Sequence, residues 1–331
     1  MSHQLADRNR LRGLVREELA AARPDADIES VNFLASGEYT VNFRVRLGDR
    51  DAVLRIVTGS QMGLSVPEQA LYEAHALDLL AGSKMVPGLI DAVDSPVILA
   101  FPYLLIEFLP GRPLNYATDL DAAAACVAAI HRLAPPAGHR LQLHLDPVRS
   151  ILDESTQFLT GLDGEDWRGV HAFDERVSSI PGSAYDAVRT DRVIINSDLN
   201  PHNFIVDEGR VWLVDWEKAR IAPSLMDVAH FLLPTTTLWR DSTAARLTGQ
   251  QRDAFVDAYL RERPELDADG YRAALRPALQ LAALRAISWC AWAVGASERG
   301  DRVLENDETL EKCRLFTSPG FLAGLEEELW N

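Results

Sequence analysis

Three polar residues set among apolar ones have the types and spacing that phosphoryl transfer requires: Asp198, Asn203, and, past a hairpin, Asp215. The segment reads Asn196-Ser197-Asp198-Leu199-Asn200-Pro201-His202-Asn203-Phe204-Ile205-Val206, then a turn at Asp207-Glu208-Gly209-Arg210, then Val211-Trp212-Leu213-Val214-Asp215-Trp216-Glu217. A carboxylate such as Asp198 orients an attacking hydroxyl and accepts its proton. A carboxamide oxygen and a second carboxylate, here Asn203 and Asp215, suit Mg²⁺, a hard cation that takes oxygen ligands. Such a metal offsets charge on the β- and γ-phosphates of a nucleotide. Taken singly, each of these residues is as well explained as a solvated turn or cap, because Asp and Asn favour turns. Together, between two apolar strands, they point to chemistry.

The elements that must position this set follow from periodicity. Residues 8–23 place Leu11, Leu14, Val15 and Leu19 on one helical face. Residues 30–57 alternate as strand, turn, strand, turn, strand, with Val41, Phe43, Val45 and Leu47 on one side and Gly48-Asp49-Arg50-Asp51 as a hairpin turn. Residues 66–82 read as a helix, with Pro67 in its first turn and Gly82 at its end. Two apolar segments follow, 88–92 and 97–108, before Leu109-Pro110-Gly111-Arg112-Pro113 breaks the pattern. That break divides the chain into a β-rich N-terminal lobe, residues 1–108, and a larger lobe, residues 109–331. In the second part the helical period dominates over 118–133, 149–162, 250–263 and 271–296, interrupted by a β-rich island at 192–216.

The order of Asp198, Asn203 five residues on, a hairpin and Asp215 matches the catalytic loop and metal-binding Asp of protein kinases. The block as a whole resembles the aminoglycoside phosphotransferase family, which includes choline-, homoserine- and fructosamine-type kinases. The resemblance extends from about residue 30 to residue 240. It implies an α+β, bilobal protein-kinase-like fold with a small antiparallel β-sheet lobe and a larger, mostly helical lobe. It also implies ATP and Mg²⁺ as cofactors, Asp198 as catalytic base, and Asn203 and Asp215 as metal ligands. Ser36 and Gly37 fall where kinases carry the phosphate-binding loop, and Arg55 falls at the position of the phosphate-binding Lys. Glu73 is the implied partner of Arg55, with Glu68 as the alternative. Leu104–Gly111 resembles the hinge between lobes, where backbone groups of Glu107 and Leu109 would hold adenine. Asp227 matches an Asp that binds the catalytic-loop backbone, and His131 reads as a packed helix residue. The departure is Asn196, where the family usually has His. The simpler readings are a plain hairpin at Ser36-Gly37, outward charges at Arg55 and Glu73, and a strand end at Glu107.

Composition bounds the partners. The chain has 331 residues, 33 basic and 49 acidic, for a net charge of -16. Such a surface repels nucleic-acid backbones and anionic membranes, so neither is an expected partner. No apolar run reaches the ~20 residues that span a bilayer, and Met1–Asp7 has no apolar leader core, so a cytoplasmic protein is expected. Three cysteines, Cys126, Cys290 and Cys313, are too scattered for a disulfide framework or a zinc site and read as small buried residues. Only Lys84, Lys218 and Lys312 are lysines, a balance that a salt-adapted host would select. The expected substrate is a small molecule with a hydroxyl group. Aminoglycosides and amino alcohols suit the acidic balance, and sugars and nucleosides are equally open. A catalytically inactive nucleotide-binding pseudokinase is the alternative. A protein kinase is disfavoured because Asp215-Trp216-Glu217 stands in place of D-F-G and no A-P-E follows. Oligomeric state is not readable from the sequence. His230–Trp239 reads either as a cleft-lining loop or as a helix end.

Overall fold

The computed structural model describes residues 8–330 except 190, 302 and 305. The leader segment considered above, Met1–Asp7, lies outside the described residues. The chain opens with helix α1, Arg8–Ala22, whose Leu11, Val15 and Leu19 are buried against a five-stranded antiparallel sheet. The strands are β1 Ile28–Ser36, β2 Thr40–Leu47, β3 Arg50–Val57, β4 Leu89–Val93 and β5 Tyr103–Glu107, in the order β1-β2-β3-β5-β4. Strand β3 is central and its last six residues are all buried. Its period of two feeds two different cores. Ala52, Leu54 and Ile56 join the cluster under α1, whereas Val53 and Val57 join the core of the large lobe. Arg55 belongs to the second set, so the pleat itself aims it towards the rest of the chain.

Helix α2, Val66–Leu80, follows β3. Ser65 and Glu68 form a capping box, with the Ser65 N–H donating to Glu68 Oε2 at 2.9 Å, and Pro67 occupies the first turn. The helix does not stop at Gly82 as the spacing predicts. It tightens into a turn over Ala81–Ser83 and is ended by Lys84, a left-handed residue with φ 59°. Of the segment 97–108, only Tyr103–Glu107 is strand. The linker beyond it joins the large lobe closely: β6, Arg112–Pro113, pairs with β9, Phe204–Asp207. A Cβ on Gly111 would stand 2.6 Å from the Val206 carbonyl oxygen, so this crossing admits only glycine.

The large lobe continues with α3 Leu120–His131, β7 Gln142–Leu143, α4 Pro147–Leu159, α5 Arg168–Ser178 and β8 Val193–Ile195. After β9 come β10 Arg210–Leu213, β11 Arg220–Ala222, α6 Ser224–Leu232 and the short α7 Pro234–Thr237. Helices α8 Gly249–Glu262, α9 Ala268–Glu298, α10 Asp307–Thr317 and α11 Pro319–Trp330 complete the chain. The hairpin β9–β10 turns on Glu208 and Gly209, both at positive φ, as a two-residue loop between twisted strands requires. Helix α9 is long and apolar enough by composition to cross a membrane, but 78% of its apolar stretch is buried within the chain, where it forms the spine of the lobe. The His230–Trp239 run resolves into the end of α6 and α7, with Thr235, Thr236 and Thr237 buried. Phe321 and Leu322 are core, and Trp330 packs edge-on against Phe173. All three cysteines are free and buried.

Candidate active site

The loop between β8 and β9 carries Asp198 and Asn203, and its shape is held from below. Asp227, in the first turn of α6, accepts the N–H of Asn196 and the N–H of Ser197, both at 2.8 Å. Asp227 is itself fixed by His131 Nε2 at 3.3 Å, and His131 Nδ1 meets the Tyr259 hydroxyl at 2.9 Å. These groups are buried, so His131 is a packed helix residue tied to the loop by way of Asp227. The bracing sustains an unusual backbone: Ser197 has φ 69° and Asp215 has φ 63°, left-handed values at non-glycine residues. Such residues cost about 1–3 kcal/mol each and persist where the surroundings over-determine them. Asn196, where the resembling family has His, links the two halves of the site. Its Nδ2 donates to the Asp215 carbonyl at 2.8 Å and its Oδ1 accepts the Asp198 N–H at 3.1 Å. The carboxamide serves because the position needs one donor and one acceptor, not a titrating ring.

Arg55 gathers the acidic residues from three parts of the chain. Its Nε donates to Glu73 Oε2 at 3.0 Å, and its Nη2 donates to Asp215 Oδ1 at 2.5 Å and to Glu217 Oε2 at 3.3 Å. Glu73 also accepts the Trp216 N–H at 3.3 Å. The partner of Arg55 is therefore Glu73, while Glu68 is occupied in the cap of α2. Burial opposes the Arg55 charge, but Asp215, Glu73 and Glu217 outweigh it and raise its pKa. Burial pushes Glu73 up despite Arg55. Burial, with repulsion from Asp215, pushes Glu217 up to about 8 against the attraction of Arg55 and Lys218. One guanidinium faces three carboxylates here, and that excess of negative charge adds to burial in raising Glu217.

Lys218 completes the arrangement. Its Nζ donates to Asp198 Oδ2 at 2.9 Å, while Asn200 Nδ2 donates to Asp198 Oδ1 at 3.1 Å. Burial alone would raise Asp198, but Lys218, with His230 and the two hydrogen bonds, outweighs it and holds the carboxyl down to about 2. His230 itself is pushed down by burial, and its Nδ1 accepts the Leu199 N–H at 3.3 Å, which places its proton on Nε2. Lys218 was not anticipated as a site residue. The available signal was its rarity, one of three lysines among 33 basic residues, three positions after Asp215.

Asp198, Asn203, Asp215, Arg55, Glu73, Ser36, Gly37, Glu107 and Leu109 all line one cavity of roughly 1570 Å³. The oxygen set fits Mg²⁺. Asn203 Nδ2 is committed to the Asp198 carbonyl at 2.8 Å, which leaves the Asn203 carboxamide oxygen to accept a cation. Among the described residues no three His, Cys, Asp or Glu side chains form a metal site by themselves. The mixed set suits a cation that completes its shell with water and phosphate oxygens. Val53, Ile106, Ile205 and Val214 give the cavity an apolar slot next to Glu107 and Leu109, as an adenine ring requires. The turn at Ser36-Gly37 is less prepared. The Gly37 N–H is spent on the Thr40 carbonyl at 2.9 Å. A Cβ at Gly37 would meet only Thr40 Oγ1, at an ordinary 3.4 Å, so neither packing nor backbone conformation demands glycine there.

Comparison with known proteins identifies the family and the fold. The profile of the phosphotransferase enzyme family matches residues 30–277. No curated protein sequence matches the chain. Among solved structures, a choline/ethanolamine kinase family protein from Mesorhizobium loti superposes with a TM-score of 0.60 at 18% identity, covering 95% of this chain and 98% of that one. Choline kinase from Cryptosporidium parvum gives a TM-score of 0.65 at 14% identity, over 98% and 96% of the two chains. A spectinomycin phosphotransferase bound to ADP and spectinomycin gives 0.61 at 14% identity, over 95% and 96%. At these identities the likeness concerns the fold, which is the bilobal, protein-kinase-like α+β arrangement.

Proposed function

The chain belongs to the phosphotransferase enzyme family, and from that premise we propose that it is an ATP- and Mg²⁺-dependent kinase that moves the γ-phosphoryl group of ATP onto a hydroxyl of a small molecule. One observation carries this reading. Asp198, Asn203 and Asp215 converge with Arg55, 160 residues from Asp215 in sequence, on the wall of a single cavity. A packed hairpin has no use for such a convergence of charge.

Bound Mg²⁺·ATP supplies the transferable phosphoryl group and the charge that offsets its oxygens. The residues do the rest. Asn203 and Asp215 would hold the metal through their side-chain oxygens. Arg55 stays charged and offers a planar fork to phosphate oxygens, and Glu73 fixes its direction from α2. Asp198 orients the acceptor hydroxyl. A carboxyl held down to about 2 is a weak base, so Asp198 acts mainly by aiming the hydroxyl and takes its proton late. This suits a loose transition state in which the nucleophile needs little activation. Lys218 sits where it supports the Asp198 carboxylate and can turn to the transferring phosphoryl oxygens. Asn196 performs the bracing that an inactive relative would be expected to lose, which favours an enzyme over a pseudokinase.

The test is phosphorus NMR of the protein with Mg²⁺·ATP and pooled hydroxyl compounds. A phosphomonoester resonance growing with ADP is the expected result. Release of inorganic phosphate alone, or failure of Mg²⁺·ATP to bind by calorimetry, would sink the proposal.

A further inference from the structure

Arg220 is the least accounted-for charge in the cleft. It opens β11 two residues after Lys218 and lies opposite Ile195, which leads into the Asp198 loop. It is only 8% exposed, yet among the described residues no carboxylate pairs with it. Its Nη2 meets the Met62 sulfur at 3.1 Å, its Nη1 meets His144 Nδ1 at 3.4 Å, and its buried Nε has no partner. The thioether is a weak acceptor and the imidazole is neutral, so neither gives the guanidinium a counter-charge. Arg55, 7% exposed in the same cavity, has three carboxylates. A buried guanidinium without a carboxylate in contact is unfavourable unless an anion arrives.

The surroundings point the same way. Arg220, Met62, His144 and Arg285 all line the cavity. Of the carboxylates that act on Arg220 from a distance, Glu154 is engaged by Arg285 at 3.2 Å and Asp227 by the N–H groups of Asn196 and Ser197, both at 2.8 Å. Burial and then the Arg285 charge bring Arg220 down to about 10, and burial with both arginines brings His144 down to about 4. In both, burial is the first cause and the neighbouring arginines add to it, against the opposing pull of Glu154. Beyond the arginines stands an aromatic wall. Trp239 lies 6.1 Å from Trp289, and Phe158 lies 5.7 Å from Trp292, all four partly open to the cavity.

We infer that the phosphate acceptor is itself an anion, a small hydroxyl compound whose carboxylate or phosphate binds Arg220 with Arg285 beside it, and whose apolar body lies against the aromatic wall. The term acceptor rests on the phosphotransfer reading; the anion site does not. A polycationic or quaternary-amine acceptor would place its charge against the two arginines, so the acidic surface of the chain does not describe its substrate pocket.

Thermal melting, with and without Mg²⁺·ADP, tests the site directly. The carboxylate arm contains glycerate and 4-hydroxyphenylacetate, the phosphate arm glycerol 3-phosphate, and the cationic arm choline, ethanolamine and kanamycin. One anionic arm is expected to raise the wild-type midpoint by about 2 °C or more, and which arm does so identifies the charged group. The shift should fall at least threefold in Arg220→Met and return in part in Arg220→Lys. If Arg220→Met does not fold, Arg285→Met, at a more exposed position, is read in its place. Stabilisation by the cationic arm alone, an anionic shift that survives both Met variants, or no shift in either anionic arm overturns the inference. Failure of Mg²⁺·ADP to stabilise the chain counts against the kinase reading, because the anion arms are scored without it.

Discussion

Arg55 and Arg220 line one cleft, are almost equally hidden from solvent at 7% and 8% exposed, and keep opposite company. Arg55 contacts Glu73, Asp215 and Glu217, whereas Arg220 contacts a methionine and a histidine and is reached by Arg285, Glu154 and Asp227 only at a distance. The first region is negative in excess and suits a metal ion with its phosphates; the second holds a buried guanidinium with no carboxylate in contact and suits an anion. One cleft thus presents one surface suited to a cation and another suited to an anion. The side built for chemistry comes mostly from one short stretch, residues 196–218, whereas the acceptor side is assembled from distant parts of the chain: β11, α4, α9 and the loops holding Met62 and His144.

The sharpest way to break the comparison is to remove Asp198. Asp198→Ala should lower kcat by ~10²–10⁴-fold while the protein stays folded with Mg²⁺·ATP affinity near wild type, at a melting temperature lowered by the loss of the Lys218 ion pair. Next in size is the brace beneath the loop. Asp227→Ala strands two buried N–H donors at about 1–3 kcal/mol each, so chemical denaturation should show a loss of about 2–6 kcal/mol. Lys218→Met should reduce kcat by ~10²-fold, the scale of one lost charge-stabilising donor. It should also bring a new acid limb into the pH–rate profile, since burial then acts on Asp198 unopposed by the ammonium. An unchanged profile would mean that Lys218 does not set the Asp198 charge.

Two carboxyls sharpen the contrast through pH. Asp198 is held below its ordinary value, so its contribution to stability is present above about pH 4 and is lost as pH falls towards 2. Glu217 is held above its ordinary value, so the folded chain binds the extra proton and stability falls as pH rises from about 4 towards 8. Glu217→Gln should therefore raise the melting temperature of the ligand-free protein at pH 8–9 and change it little near pH 4. The smallest effect concerns the surface: if the acidic, lysine-poor exterior is a salt adaptation, molar KCl should raise the melting temperature by a few degrees, and equal stability in low and high KCl would end that idea.

The same contrast explains what the sequence made legible. Asp198, Asn203 and Asp215 were visible because strand and hairpin geometry fixes their positions through local spacing. Arg55 and Glu73 came from the resemblance to kinases, with Glu68 as the alternative partner, and the structure pairs Arg55 with Glu73. The N-terminal sheet was readable because its strands are short, alternating and joined by tight turns. Helices α5, α10 and α11 were not delimited, because their apolar stripes are short and are completed only by packing against one another and against α9. Lys218 escaped notice because its partner lies 20 residues back, across the β9–β10 hairpin. The Arg220 pocket escaped because its character lies in an absence of contacting carboxylates, which sequence distance cannot reveal. Gly37 was expected to free backbone donors for phosphate, but its N–H closes the turn to Thr40 instead.

The most direct test of the account is coupled ADP release by wild type and Asp198→Asn with Mg²⁺·ATP and separate pools of anionic, neutral and cationic hydroxyl compounds. The account predicts that an anionic pool stimulates ADP release by wild type and that the variant, folded and nucleotide-bound, stays silent. Equal stimulation of the two proteins would contradict it.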